Sequence, residues 1–302
     1  MQPKPREAYK EKLESFSDDF EFVYEEDPEA EVIIGSVKPE RLKQFKKLKW
    51  FQSYAVGVDA YTRKGVLEDG VILTNDPHVH SREVAEHTFA SILAAVKKLH
   101  LYRDNQHQSN WKDEGMVKQF NELKVCIVGL GDIGNILARM LKGLDIYVIG
   151  VKRKMSEKPD YVDELYLKED LDKAISDVDV VVSILPGSGE NVHLFTLETF
   201  RKMRKDTIFV NVGRGNLYEE DTLRKVLDER LIETVVSDVN EKEPLDSESK
   251  LWKYDNLVIT PHVAGGYHLE SAYAAFIDLC LENLKRYKEG KQLLNVVEER
   301  FD

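Results

Sequence analysis

The sequence predicts an α/β protein of two lobes, each a parallel sheet covered on both faces by helices. Three observations carry that reading: short β-branched apolar runs recur along the chain, helical-period segments separate them, and a glycine-rich turn directly follows one run. From residue 125 onward the runs are 125–128, 146–151, 180–185, 207–212, 234–236 and 257–260. Near-continuous hydrophobicity marks strands buried on both faces. The gaps between runs suit a crossover helix with two loops, and helical patterns such as 136–141 and 221–227 occupy them. Six strands alternating with helices make a doubly wound parallel sheet.

The first hundred residues repeat the theme less regularly. Strands are expected at 20–24, 32–35, 50–54 and 71–74, and helices near 7–16 and 40–48. A long amphipathic helix is expected over 82–102, with Val84, Ala85, Phe89, Ile92, Leu93, Val96 and Leu99 on its apolar face. Residues 269–287 have the same period, and a helix there can return to the first lobe and close it. The expected domains are therefore 1–97 with 268–302, a smaller flavodoxin-like lobe completed by the C-terminal helix, and 98–267. No Pro/Gly/Ser linker marks either limit.

Apolar residues are 42% and charged residues 32% of the 302, the balance of a chain that buries a sizeable core. Lys and Arg number 43 against 55 Asp and Glu, so the net charge of −12 opposes nucleic-acid binding. No apolar run approaches the roughly 20 residues that cross a bilayer, and the polar N-terminus is unlike a secretory signal. Cys126 and Cys280 sit in apolar stretches without Cys or His neighbours at ligand spacing, which fits packing roles in a reducing cytoplasm. No metal site is expected: His78-Val79-His80 has an HxH spacing, but no Cys or acid completes it.

Gly129-Leu130-Gly131-Asp132-Ile133-Gly134 follows the run at 125–128, the fingerprint of a Rossmann dinucleotide-binding unit. The next run ends in Lys152-Arg153-Lys154. In the NAD version of this unit an acid at that strand end binds the ribose hydroxyls, whereas a basic residue accommodates a 2′-phosphate. Three cations offer no acceptor to a ribose diol. The cluster therefore selects NADP(H) over NAD(H), against the bland alternative of a solvated turn.

Ligands bind outside the carboxyl ends of the strands in open α/β sheets. Polar groups follow three such ends: Arg214 within Gly213-Arg214-Gly215, the acids Asp238 and Glu243 after 234–236, and His262 after Thr260-Pro261. Each alone reads equally as an ordinary loop residue. Together on one rim they suit hydride transfer to a 2-keto acid. A guanidinium grips a carboxylate or polarised carbonyl, an imidazolium donates a proton, and a carboxylate on the other ring nitrogen keeps the imidazole charged.

The chain resembles the D-isomer-specific 2-hydroxyacid dehydrogenases over almost its whole length. The segments that carry the likeness are Ala55-Val56-Gly57-Val58-Asp59, Val84-Ala85-Glu86-His87, the glycine fingerprint, Asn211-Val212-Gly213-Arg214-Gly215, 238–244 and Thr260-Pro261-His262. The resemblance implies a catalytic set of Arg214, Glu243 and His262, with His262 the acid/base and Glu243 its partner. It implies that Val56 and Gly57 hold the substrate carboxylate through backbone amides, beside Arg214. On the cofactor side it implies the fingerprint residues with Lys152, Arg153 and Lys154, then Leu185, Pro186 and Asn191, then Val212, Gly213, Arg214, Asp238, His262 and Ala264. Asp238 matches the acid that contacts the nicotinamide carboxamide.

Two departures stand out. Lys152 occupies the position of the family's acid, as Arg or Lys does in many glyoxylate/hydroxypyruvate reductases of this family. The opening Met-Gln-Pro-Lys-Pro and charged helix suggest a first lobe short of one strand. The chain also ends soon after Val296-Val297, without the regulatory domain of many phosphoglycerate dehydrogenases. The expected function is thus NADPH-dependent reduction of a small 2-keto acid of the glyoxylate or hydroxypyruvate type to its D-2-hydroxy acid, in a cytoplasmic homodimer without nucleic-acid or membrane partners. Trp111 belongs either to an arm between protomers or to a surface loop. The alternative is a cofactor-sensing interaction protein of the same fold, disfavoured by the lack of extended tails. Formate dehydrogenase is disfavoured because its histidine pairs with Gln where this chain has Glu243.

Overall fold

The computed structural model describes residues 5–55, 57–58, 60–76, 78–154, 156–187, 189–266 and 269–298. The chain divides into two compact units, Met1–His80 with Gly266–Asp302, and Ser81–Gly265.

The first unit opens with helix α1 (Glu7–Glu14) and continues through strands β1 (Val32–Gly35), β2 (Trp50–Ser53) and β3 (Ile72–Thr74). These form a parallel sheet in the order β1-β2-β3, with Ile33 opposite Phe51 and Phe51 opposite Leu73. Alternation along each strand sends Ile33, Phe51 and Leu73 to one apolar cluster and Ile34 and Trp50 to the other.

Two expectations fail in this unit. Residues 20–24 are not a strand; Phe20 and Phe22 pack as partly buried side chains against the cluster that includes Trp50 and Tyr287, with no ladder to β1. Here apolar anchoring replaces backbone pairing, and the acids that follow, Glu25, Glu26 and Asp27, do not extend an apolar face. Residues 40–48 form only a 3-10 segment, Pro39–Gln44, because Leu42 and Phe45, three apart, suffice to cover Phe51.

In the second unit α2 (Ser81–Val96) buries Val84, Ala85, Ile92, Ala95 and Val96. The expected long helix breaks at Lys98, which takes a left-handed conformation (φ 55°) before α3 (Leu99–His107). The compact units divide at the start of α2, whereas the sequence suggested a limit at 97; its apolar face packs with Leu137, Ala138 and Leu141 in the second unit's core.

Strand β4 (Lys124–Val128), helix α4 (Asp132–Lys142), strands β5 (Tyr147–Lys152) and β6 (Glu164–Leu167), helix α5 (Leu171–Ile175) and strand β7 (Val180–Ser183) follow. Then come α6 (Leu197–Arg201), β8 (Ile208–Asn211), α7 (Glu220–Asp228), β9 (Thr234–Ser237) and β10 (Leu257–Ile259). All seven strands are parallel, in the order β10-β9-β8-β7-β4-β5-β6. Strand β6, absent from the sequence reading, lies at the sheet edge with every residue only partly buried, so it lacks the apolar run that identifies the others.

Alternate residues of β4 face opposite cores. Val125 and Ile127 meet α2 and α4, and Cys126 and Val128 meet the cluster containing Ile175, Phe200 and Leu223. Phe195, Phe200 and Phe209 fill the second core in edge-to-face and tilted contacts. The sheet is thus covered on both faces, as expected.

Helix α8 (Glu270–Lys288) returns to the first unit, burying Tyr273, Phe276, Ile277, Cys280 and Leu284 with Leu13, Ile34 and Trp50. Asn283 on this helix donates to Gln52 Oε1 (3.0 Å) and accepts from the Leu294 amide (2.7 Å), satisfying buried polar groups of β2. Among the described residues no helix is long and apolar enough to cross a membrane.

Candidate active site

Strand β4 lies between β5 and β7, so the connections leave in opposite directions from its carboxyl end, the switch point where such sheets bind ligands. Gly129 adopts φ 110°, and a Cβ there would stand 2.8 Å from Ile184 O. A Cβ on Gly134 would overlap Gly129 O, so that glycine lets α4 close on the turn. Gly131 differs: its backbone is extended, and a Cβ would meet nothing within 4 Å. Neither packing nor conformation requires glycine at 131, but close approach of a pyrophosphate does. Gly131 is also the N-cap of α4 and brings no side-chain cap, leaving the helix N-terminus suited to an anion. Asp132 and Ile133 occupy its first turn. The residues present therefore fit a dinucleotide.

The amides of Gly129 and Leu130 both donate to Val151 O at 3.1 Å, which sets the glycine turn one residue from Lys152. Lys152 donates to Ser156 Oγ (2.9 Å), and Arg153 and Lys154 are exposed. None of the three pairs with a carboxylate among the described residues. In a chain of net charge −12, with carboxylates abundant, these three residues concentrate positive charge at one strand end.

After β7, Leu185 and Pro186 form the next rim. Asn191 is tied down there, donating to Pro186 O (3.2 Å) and accepting from Lys168 (3.0 Å). Gly213, after β8, permits close passage, since its Cβ would lie 2.5 Å from Leu185 O. Val212 is buried, and its amide donates to Ser183 O (3.1 Å). Arg214 follows in an extended conformation and donates through Nη1 to Gly213 O (2.8 Å).

Asp238 is almost wholly buried at the end of β9. It accepts from Thr260 Oγ1 (2.5 Å) and from the amides of Val263 and Ala264 (both 2.9 Å). Its carbonyl accepts from the His262 amide (2.8 Å), and His262 holds a left-handed conformation (φ 54°), a strain concentrated at functional positions. His262 Nδ1 lies 2.6 Å from Glu243 Oε2, and Glu243 Oε1 accepts from the Asn240 amide (2.8 Å). The bond from Glu243 outweighs desolvation and the Arg214 charge, raising the His262 pKa above its ordinary value. Desolvation pushes Glu243 upward, but the bonds from His262 and Asn240, with the charges of His262 and Arg214, hold it below the usual carboxylate range. Both shifts favour the imidazolium–carboxylate form of the pair, in which Nδ1 is committed to Glu243 and Nε2 is the ring's other proton-exchanging nitrogen.

The second unit thus gathers the sequence-predicted Arg214, Asp238, Glu243, His262 and Ala264 in linked strand-end loops. Gly57 belongs to the first unit, and Val56 lies outside the described residues. Sequence reasoning passed over Asn211, Asn240 and Thr260, whose side chain or amide braces these groups. Asn211 and Thr260 fall inside the motifs already quoted, while Asn240 acts through a backbone amide that no residue type signals.

This sheet order, glycine turn and rim define an NAD(P)-binding Rossmann oxidoreductase. Residues 89–264 match the family model of the D-isomer specific 2-hydroxyacid dehydrogenase NAD binding domain. A probable 2-ketogluconate reductase of Dictyostelium discoideum is 31% identical over 257 residues, 82% of this chain and 76% of that protein. A glyoxylate reductase of Korarchaeum cryptofilum is 30% identical over 261 residues, 84% and 77% of the two chains. The solved structure of an NADPH-dependent glyoxylate/hydroxypyruvate reductase from Sinorhizobium meliloti, in complex with NADP and sulfate, is similar with a TM-score of 0.75 at 26% identity, covering 88% of this chain and 84% of that one. The chain belongs to the D-isomer specific 2-hydroxyacid dehydrogenase family, whose members are NAD(P)-dependent.

Proposed function

We propose that this protein reduces a small 2-keto acid of the glyoxylate or hydroxypyruvate type to its D-2-hydroxy acid, with NADPH preferred over NADH. The observation that carries the reaction is the His262–Glu243 pair at 2.6 Å in the same unit as Arg214. When bound, the dinucleotide supplies the hydride to the substrate carbonyl. Arg214 polarises that carbonyl and grips the carboxylate, and His262 Nε2 delivers the proton to the alkoxide that forms. Glu243 holds the imidazole oriented and charged, while Asp238 faces the nicotinamide carboxamide. Val56 and Gly57 hold the substrate carboxylate through their amides, which makes the first unit the substrate-binding domain and the second the cofactor domain.

The fingerprint residues 129–134 hold the pyrophosphate, with Leu185, Pro186, Asn191, Val212, Gly213 and Ala264 along the rest of the cofactor. Lys152, Arg153 and Lys154 receive the 2′-phosphate; that none of them has a carboxylate partner among the described residues supports this preference. Glyoxylate and 2-ketogluconate reductases among the relatives support the substrate class. The exposed Trp111, Met116, Val117 and Leu99 support a homodimer, and two buried free thiols fit a reducing cytoplasm.

The test is steady-state turnover over a panel of 2-keto acids with each cofactor, in wild type and in Lys152→Asp with Arg153→Ile. Wild type should favour NADPH, and the double variant should shift the NADPH/NADH ratio of kcat/KM toward NADH by roughly a hundredfold, the loss of about 2.7 kcal/mol of phosphate recognition. An unchanged ratio removes the cation argument. Binding of cofactor without turnover of any acid supports the sensor alternative instead.

A further inference from the structure

Arg214 and Glu243 follow different strands, β8 and β9, so something must hold their loops in register. One of the polar contacts between the two connections is made by a buried hydroxyl. Asn211, at the end of β8, accepts from the Gly213 amide through Oδ1 and donates to Arg214 O through Nδ2, both at 3.1 Å. The hydroxyl of the buried Tyr218 follows in the same connection. That hydroxyl lies 2.8 Å from Ser237 Oγ, at the end of β9, and Ser237 Oγ donates to Val239 O at 2.7 Å. Ser237 has a single hydroxyl proton and uses it on Val239, so Tyr218 is the donor to Ser237.

Asn211 and Ser237 are fully buried and Tyr218 is 2% exposed, so each bond acts in a medium where an unpaired partner is costly. Beside this relay the two backbones abut: a Cβ on Gly215 would overlap the carbonyl of Asn240. The Asn240 amide in turn holds Glu243 Oε1. A connected path therefore runs from the connection that holds Arg214, through Tyr218, Ser237 and Val239–Asn240, to Glu243 and His262.

We propose that the Tyr218 hydroxyl is a positioning group, which sets the Glu243–His262 pair relative to Arg214 by tying the connection after β8 to Ser237 at the end of β9. This rests on the reading of Arg214, Glu243 and His262 as the reacting set. Tyr218 acts through the Ser237–Val239 link. Removing the hydroxyl leaves Ser237 Oγ without one partner, and the Ser237–Val239 link is no longer tied to the connection after β8. Glu243 then grips the imidazole less well, while the dinucleotide turn at 129–134, on β4, is untouched.

The experiment is an NMR titration of the His262 ring in wild type, Tyr218→Phe and Ser237→Ala, run beside steady-state kinetics. Three charged groups face that ring, Glu243, Arg214 and Asp238, and all three remain in both variants. Loosening Glu243 should lower the His262 midpoint toward its ordinary value in both. It should also lower kcat roughly tenfold, the equivalent of one buried hydrogen bond of about 1.4 kcal/mol. The cofactor KM should stay within about twofold of wild type, as expected when only a transition-state interaction is lost. Ser237→Ala serves as the second variant should Tyr218→Phe fold poorly. A His262 midpoint unmoved in either folded variant overturns the proposal, as does a fall in cofactor affinity that tracks the fall in kcat. The functional reading fails separately: near-wild-type turnover by His262→Gln would sink it and leave the titration result standing.

Discussion

His262 carries two constraints that pull in one direction. Its backbone sits at φ 54° under two carbonyl acceptors, Asp238 O and Thr260 O, and its ring is bonded through Nδ1 to Glu243. The Glu243 bond favours the charged ring, and this raised pKa has a definite consequence for rate. Reduction consumes the protonated form, so its kcat/KM should be level below the raised midpoint and fall tenfold per pH unit above it. Oxidation of the hydroxy acid needs the neutral ring and should show the mirror-image rise. On the acid side the pair persists below the ordinary carboxylate range, because Glu243 is itself held low. Glu243→Gln removes the group that raises His262, so the alkaline limb of the reductive profile should move to lower pH. Profiles of wild type and variant that coincide on the alkaline side would show that this limb does not report His262.

Among the secondary-structure elements, two glycines of similar sequence context do different work, and the difference is measurable. Gly131, at the head of α4, has open space where a Cβ would point, whereas Gly215, in the turn after β8, has the Asn240 carbonyl there. Gly131→Ala should leave the melting temperature of the ligand-free protein unchanged. It should weaken cofactor binding by roughly tenfold, about 1.4 kcal/mol, because the added methyl occupies pyrophosphate space. Gly215→Ala should instead destabilise the fold by about 1–3 kcal/mol through overpacking and depress kcat. Calorimetry with a fluorescence titration separates the two; a Gly131→Ala protein that melts early and binds normally would reverse the assignment. The same contrast explains what patterning could detect. The strands of the larger sheet and helices α4 and α7 were legible because their apolar residues fall on buried faces at a regular period. Strand β6 was not, because an edge strand is only half covered. Residues 20–24 have the alternation of a strand, yet their phenylalanines find cover without pairing.

For the molecule as a whole, the apolar surface left uncovered is concentrated on one segment. Helix α3 has no buried residue, and the stretch after it leaves Trp111 and Met116 almost entirely exposed. That segment is nevertheless tied to its own unit: Lys97 donates to Lys118 O (2.7 Å), Lys98 to Glu114 O (2.9 Å), and Asn105 to Glu114 Oε1 (2.6 Å). The proposed homodimer would cover this ordered apolar surface. Sedimentation equilibrium should therefore give a dimer for wild type and a monomer for Trp111→Ser with Met116→Ser. A wild-type monomer, or a double variant that stays dimeric, would locate the interface elsewhere or remove it.

The sequence by itself determined the parallel sheet of the second unit, its glycine turn, the basic strand end at Lys152 and the residues Arg214, Asp238, Glu243 and His262. All of these are written in short stretches of chain: a period, a turn that only glycine makes, or a polar group directly after an apolar run. The tertiary structure alone decided the break at Lys98, the assignment of α2 to the second unit, the fate of residues 20–24 and the Tyr218–Ser237 bond. Those depend on which loops meet after separate strands have paired, and on which side chains are left to satisfy buried donors. Tyr218 carries no motif, and its meaning comes from Ser237, 2.8 Å from its hydroxyl and nineteen positions along the chain. Local patterning encodes the scaffold and the proposed reacting groups, whereas the contacts around those groups come into being only when distant segments close on one another.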